Sequence, residues 1–336
     1  MNVVYLLGNG FDLNLGLKTQ YKDFYDSYTS KNSTQASVNQ FKSDISSDFN
    51  KWCDLELSLG EYTTTIDSLS CLDDIHADLV DELAEYLFSV QEKFESNVAS
   101  KISKNYFLSD LFQPEAYLKN RDAQALNQYK STLGSSSVNY SIITFNYTQT
   151  VEAILGIKTR ENQLNVSNES LKLGNISHRL LNILHVHGSL EEDMVLGVDS
   201  ESQILNQSLA KDDDALKQLV KSKCNLAMRH GVEVECEKLI NQASFICIFG
   251  SSIGKTDQIW WDLIAKKLKT SNTKLIIFDY WPGMSKRRSQ LQDRERKRIL
   301  QRFFGNEDTA DVESKVYFSF NSKIFSLLPK KSKEVI

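Results

Sequence analysis

Hydrophobic positions along the chain follow two alternating periods. Val3-Val4-Tyr5-Leu6-Leu7 is a short apolar run ending at Gly8-Asn9-Gly10, and Tyr21, Phe24, Tyr25 and Tyr28 then recur at helical spacing. The pattern predicts strand, tight turn, helix. It returns further on. Tyr140-Ser141-Ile142-Ile143-Thr144-Phe145 runs into Asn146-Tyr147-Thr148-Gln149, where a helix starts, and residues 182–190 end in His185-Val186-His187-Gly188-Ser189. Ser244-Phe245-Ile246-Cys247-Ile248-Phe249 runs into Gly250-Ser251-Ser252-Ile253-Gly254, then a helix from Thr256, with Asp257 as its expected cap, carrying Trp260, Trp261, Ile264 and Leu268. Residues 194–198, 274–278 and 315–320 complete the expected strands. The run at 244–249 is unbroken in apolar character, as buried parallel strands are. Strands separated by helices predict an α/β fold, a mostly parallel sheet with helices on both faces.

Two stretches interrupt this alternation. In residues 31–135, Ile75, Leu79, Leu83, Leu87, Val90, Phe94, Val98 and Ile102 recur every three or four positions. They predict one long amphipathic helix over 73–104, capped by Asp73 or Asp74. Phe41, Ile45 and Phe49 predict a shorter helix before it, and residues 52–61, which mix acids and leucines, another. The block is expected as a large α-helical insertion that covers the site, forms a dimer face, or does both. Residues 200–243 are expected as a second, smaller helical insertion, with Asp212-Asp213-Asp214 as its acidic start. The main domain is then 1–30 together with 136–325. Residues 158–179 are polar and expected as a loop, and the tail at 330–333 as frayed.

Composition narrows the class. At 41% hydrophobic and 25% charged, 336 residues form an ordinary globular protein rather than a disordered one. Net charge of −5 leaves no overall nucleic-acid footprint. No stretch approaches the ~20 apolar residues of a membrane span, and the N-terminal apolar run is too short for a signal peptide. The five cysteines include no Cys-x-x-Cys pair, so neither a disulfide scaffold nor a zinc ribbon is indicated. A cytoplasmic protein with reduced thiols is expected.

The candidate chemistry collects where strands give way to turns. Gly8, Asn9, Gly10, Phe11 and Asp12 form a turn in which backbone N–H groups can approach a phosphate at a helix N-terminus. A full dinucleotide fingerprint wants a third glycine where Leu13 stands. Thr144, Asn146, Tyr147 and Thr148 offer polar groups at a strand's C-terminal edge, where α/β sheets place ligand contacts. His185 and His187 alternate onto one strand face, yet no carboxylate or cysteine nearby completes a metal set, so no metal is expected. Gly188 follows His187, and Gly250, Ser251 and Ser252 form a second glycine turn. Residues 286–302 carry a run of lysines and arginines, read either as a solvated face or as a nucleic-acid or partner surface.

With these four stretches in order, the chain resembles the bacteriophage abortive infection family AbiH. Gly8-Asn9-Gly10-Phe11-Asp12-Leu13 with Leu15-Gly16-Leu17 is similar to its N-terminal signature. Thr144-Phe145-Asn146-Tyr147-Thr148, His185-Val186-His187-Gly188-Ser189 and Phe249-Gly250-Ser251-Ser252-Ile253 are similar to its later ones. That family in turn looks sirtuin-like, which implies a Rossmann-like fold and a site for NAD. The resemblance implies that Gly8-Asn9-Gly10 holds the pyrophosphate, Thr144 to Thr148 lines the nicotinamide ribose, and Gly250-Ser251-Ser252 contacts the adenosine. Asn146 and His187 would be catalytic. Thr148 stands where sirtuins carry Asp, Asp12 is an added acid, and the zinc module of sirtuins is missing.

The expectation is an anti-phage abortive infection protein that hydrolyses the nicotinamide–ribose bond of NAD, or of a related nucleotide, on infection. NAD enters as substrate or ligand, and no further cofactor is required. A phage-derived trigger and a homo-oligomer are the expected partners, without membrane. Two alternatives stand beside it: a nucleotide-sensing module that signals to a partner, and a nucleic-acid-directed effector using helix 286–302.

Overall fold

The computed structural model describes residues 1–157, 165–166, 169–191, 193–229, 231–284, 287–305 and 307–328. Of the polar stretch expected at 158–179, residues 158–164 and 167–168 lie outside the described residues, as do Lys286 and the tail at 330–333. Eight strands form one sheet: β1 (Asn2–Leu7), β2 (Ser137–Thr144), β3 (Asn165–Val166), β4 (Ser170–Leu173), β5 (Ile176–His185), β6 (Phe245–Phe249), β7 (Lys274–Asp279) and β8 (Val316–Phe320). Their order is β3-β5-β2-β1-β6-β7-β8, with β4 also on β5. β5, β2, β1, β6, β7 and β8 pair in parallel. β3 and β4 lie antiparallel to β5.

β1 is central because both its faces are apolar. Val3, Tyr5 and Leu7 enter one core cluster and Val4 and Leu6 another, as period-two alternation requires. Helices Lys104–Phe112 and Asn120–Thr132 cover the first face, through Phe107, Leu108, Leu111, Phe112 and Leu126. Helices Val232–Gln242, Gln258–Thr270 and Ser289–Phe304 cover the second, through Ile240, Trp261, Ile264, Leu300 and Phe303. The mixed α/β sheet expected from the pattern is therefore present, with helices on both faces.

A third cluster lies off the sheet. Helices Tyr21–Tyr28, Ala36–Ser47, Leu55–Tyr62 and most of Leu69–Asn97 close it, with Leu196, Val198, Leu216 and Leu219. The long helix is shorter than its apolar stripe: it ends at Asn97, a 3-10 turn follows at Ala99–Lys101, and a new helix starts at Lys104. Ser68, not Asp73 or Asp74, caps its start by accepting from the Cys71 N–H. The stripe from Leu72 to Phe94 is buried within the chain, while Phe88 of the same helix is exposed.

Two local expectations differ from the structure. Residues 194–198 are apolar but make only an isolated bridge, Val198 with Val220. The end of the polar stretch at 158–179 is not loop: β4 and β5 form a hairpin there, and Ser177, His178 and Arg179 extend β5 before its apolar half begins. Polar residues suffice for a strand whose outer neighbour is another strand. Among the described residues, no helix is long and apolar enough to cross a membrane.

The turns after β1 and β6 touch backbone to backbone. A Cβ on Gly10 would lie 2.5 Å from the Gly250 Cα, and one on Gly250, at φ +72°, would lie 2.6 Å from the Phe11 nitrogen. Gly10→Ala is expected to destabilise the protein by about 3 kcal/mol or more, because both colliding groups are backbone and neither can move aside. Gly134→Ala, at φ +58° with nothing within 4 Å, is expected to cost about 1 kcal/mol, the left-handed penalty alone. Urea unfolding of the two variants measures the difference.

Candidate functional site

In chain order the six parallel strands are β1, β2, β5, β6, β7 and β8. The chain steps from β1 outward through β2 to β5, then crosses back to β6 on the other side of β1. Open α/β sheets bind ligands outside the carboxyl ends of strands at such a reversal. The carboxyl ends of β1, β2, β5 and β6 carry the four stretches singled out in the sequence.

The glycine turns are tied to each other here. The Gly8 N–H donates to the Phe249 carbonyl (3.0 Å), the Gly10 N–H to the Gly250 carbonyl (2.8 Å), and the Phe11 N–H to the Gly8 carbonyl (2.9 Å). The glycines thus serve a close turn-to-turn contact, and these three N–H groups already have partners. Ser251 Oγ accepts from the Ile253 N–H, and the Ser252 carbonyl accepts from Arg302.

Asp12 is buried and faces the β2 loop. Its carboxylate accepts from the Thr148 hydroxyl and, at 2.6 Å, from the Thr150 hydroxyl. Burial pushes its carboxyl up to about 6, against the hydroxyl bonds that lower it. The two departures from the sirtuin pattern, an extra acid at 12 and a threonine at 148, are thus bonded to each other. Asn146 Nδ2 donates to the Gly8 carbonyl at 3.3 Å, a second tie between these loops.

These residues line a cavity of about 100 Å³. Asn9, Asp12, Asn146 and Thr148 supply polar groups, and Tyr21, Phe24, Tyr86, Phe145 and Tyr147 supply rings. Leu83 and Leu87 of the long helix add to its wall. Asn9 is held by Thr19, whose carbonyl accepts from Asn9 Nδ2 at 2.9 Å.

The two histidines part company. His185 ends β5, and its Nε2 meets Glu152 at 2.9 Å while Nδ1 meets the Asn146 carbonyl at 2.9 Å. Burial alone would lower its pKa; the Glu152 carboxylate outweighs burial and raises it. His187 lies beyond the strand, and its Nε2 meets Asp257 Oδ1 at 2.8 Å. Burial lowers the His187 pKa, and the Lys221 ammonium lowers it further. Among the described residues, no group is in hydrogen-bonding geometry with Nδ1 of His187, although the Val186 backbone lies near enough to the ring to raise its pKa a little against the other two effects. His187 does not line the cavity, but Phe145 does, and the Phe145 and His187 rings lie 5.5 Å apart.

Three members of this group were not legible as site residues. Asp257, expected to cap the helix after it, makes no side-chain cap bond and instead bonds His187 and Lys221. Despite burial, Lys221 and His187 hold its carboxyl well below the usual range. Lys221 and Glu56 form a buried pair at 2.8 Å, and burial pushes Glu56 up to about 7. Lys221 opens a short helix and Glu56 sits among leucines; an acid spaced within an apolar run was the one available hint. Among the described residues, no group of three or more His, Cys, Asp or Glu could hold a metal ion.

The basic helix spends much of its charge internally. Arg298 pairs with Glu295, Lys297 with Asp293 at 3.0 Å, and Arg296 stacks over Phe318.

Residues 4–279 match the family model described as bacteriophage abortive infection AbiH. The chain belongs to that family. No curated protein matches it. The AbiH match runs from β1 to the last residue of β7, so it takes in every strand end just described and leaves out the basic helix and β8. Membership carries a role in abortive infection of phage-infected cells.

Asp12 sets a pH signature for this AbiH chain. Its folded pKa of about 6 lies above the ~3.9 of an unfolded aspartate. Its contribution to stability is therefore complete below about pH 4 and is lost as pH rises through 6. Asp12→Asn is expected to gain stability relative to wild type between pH 4 and 7.5, by up to about 3 kcal/mol for a two-unit shift. Chemical unfolding at the two pH values measures this; an unchanged difference would refute the raised pKa.

Proposed function

We propose that this AbiH chain cleaves the glycosidic bond between a nicotinamide-like base and ribose, with NAD or a related nucleotide as substrate. The observation that carries the reading is Phe145, which lines the cavity on one side and packs on the His187 ring on the other. The strand order, renumbered along the chain as 3-2-1-4-5-6, is the one found in doubly wound dinucleotide-binding sheets. It supports the Rossmann-like, sirtuin-like assignment that the motifs suggested.

The cavity is smaller than one ring needs: a void of about 150 Å³ takes benzene, and the one here is about 100 Å³, so a nicotinamide-like ring enters as the walls give. Its aromatic walls favour a flat ring, and Asn9, Asn146 and Asp12 give donors and acceptors for an amide substituent. The remainder of a dinucleotide needs the helices over the cavity to move. That is the behaviour of an enzyme held inactive until a trigger arrives.

In the reaction the C1′–N bond breaks and its electron pair neutralises the pyridinium nitrogen. Water oxygen bonds C1′ and releases one proton. The transition state resembles an oxocarbenium ion. His187 takes the proton on Nδ1, its free nitrogen, while Asp257 orients the ring through Nε2. Its lowered pKa keeps the base unprotonated near neutrality. Asn146 orients the ribose or the water.

A sensing role without turnover is the second reading. It is favoured by the N–H groups of Gly10 and Phe11, which are already engaged within the protein and less free to cradle a phosphate.

Purified protein incubated with NAD, and extracts of infected cells, are assayed for nicotinamide. His187→Gln, which keeps a donor for Asp257, and Asn146→Ala are each expected to lose at least ~10² in rate with the unfolding transition retained. Nicotinamide release by wild type that survives in both variants refutes the site. Absence of release in both settings, with a nucleotide retained on the protein, supports the sensor.

A further inference from the structure

Lys221 is the hub of the buried group around His187. Its ammonium has three protons to donate. Glu56 Oε2 at 2.8 Å, Asp257 Oδ1 at 2.9 Å and the Thr256 carbonyl at 3.0 Å use all three. His187 Nε2 stands 3.4 Å from the same nitrogen. With the ammonium's donors spent, that approach is a positive charge beside the imidazole rather than a fourth bond.

Two consequences follow for the ring. Asp257 is ionised, so it accepts, and the proton between it and His187 sits on Nε2. A second ring proton would turn the imidazole into a cation next to Lys221, with both groups buried, and the Val186 backbone near the ring favours that proton less than burial and Lys221 oppose it. Charge repulsion and burial act in the same direction. Without Lys221, Asp257 would face His187 as its only cationic partner and would draw a second proton onto the ring.

We propose that Lys221 is a positioning residue that holds His187 as a neutral imidazole with its proton on Nε2 and its lone pair on Nδ1. Glu56, on helix Leu55–Tyr62, anchors the lysine from the side opposite Asp257. The other titratable groups around the cluster, among the described residues, are Asp54 at the N-cap of the Glu56 helix, Tyr21 and Tyr147 near Glu56, Asp199 near Asp257, and Cys224 near Lys221. Burial holds both tyrosines far above the neutral range, so they remain uncharged. The tautomer stands on this geometry alone; its catalytic meaning rests on the reading of His187 as the general base.

The test is a long-range proton–nitrogen correlation spectrum of the full chain with labelled histidine. The His187 signals are assigned by their loss in His187→Gln. Wild type at pH 7 is expected to show a protonated Nε2 and an unprotonated Nδ1. Lys221→Met is expected to show a doubly protonated ring at pH 7, its midpoint raised by at least one pH unit. Lys221→Arg keeps the cation and is expected to keep the wild-type pattern. A proton on Nδ1 in wild type, a charged ring there at pH 7, or a ring left neutral by Lys221→Met overturns the proposal. Should Lys221→Met not fold, the wild-type tautomer and Lys221→Arg still decide. Where wild type releases nicotinamide, Lys221→Met is expected to be at least tenfold slower at pH 7 and to recover as pH rises, with arginine restoring the neutral-pH rate. A wild type that has the stated tautomer but releases no nicotinamide refutes the hydrolase and leaves the role of Lys221 intact.

Discussion

The structure depends on a contact without side chains. The turn leaving β1 and the turn leaving β6 lie so close that glycine is required at positions 8, 10 and 250. This contact sits where the strand order reverses, so it fixes how the two halves of the sheet meet. It also turns Asp12 toward the β2 loop and the helix Thr150–Leu155. Loops from three strands are joined there by hydrogen bonds rather than by apolar packing. An arrangement of this kind tolerates little shift, because each displaced polar group would be left buried without its partner.

Around that contact the protein spends heavily on buried charge. Asp12, Glu152, His185, His187, Lys221, Asp257 and Glu56 are all largely withdrawn from water. Hydrophobic residues of like volume would often be at least as stable as a buried ion pair. Charge kept at such a cost suggests a task beyond folding, and the pairs are sorted by it. His185 is driven toward its charged form by Glu152, whereas His187 is driven toward its neutral form by burial and Lys221. Two histidines at positions 185 and 187 are thereby shifted in opposite directions, the separation expected when one serves structure and the other chemistry.

Legibility in the sequence followed how local each signal was. β1, β6 and β7 were readable because both faces of each are buried and the runs are unbroken. The start of β5 was not, since Ser177 and Arg179 owe their strand conformation to β4. Val98 and Ile102 continued a helical period that the chain itself abandons at Asn97, because tertiary packing, not periodicity, decides where a helix turns. Asn9, Asp12, Asn146 and His187 stood out as polar residues at strand ends. Asp257 was read as a cap, the usual local use of an aspartate before a helix. Lys221 gave no local sign and Glu56 only that of an acid among leucines, as their meaning lies in a meeting of segments 165 residues apart.

The central position of β1 also bears on how the chain is made. It precedes the other seven strands along the chain, and its partners β2 and β6 begin only at residues 137 and 245. At translation speeds of about 5–20 residues per second, β6 follows β1 by roughly 10 to 50 seconds. Until then an apolar central strand has an edge unpaired. Non-local pairing of this kind is slow to form. The group around His187 spans Glu56 to Asp257, so none of it is complete until Asp257 has been added to the nascent chain.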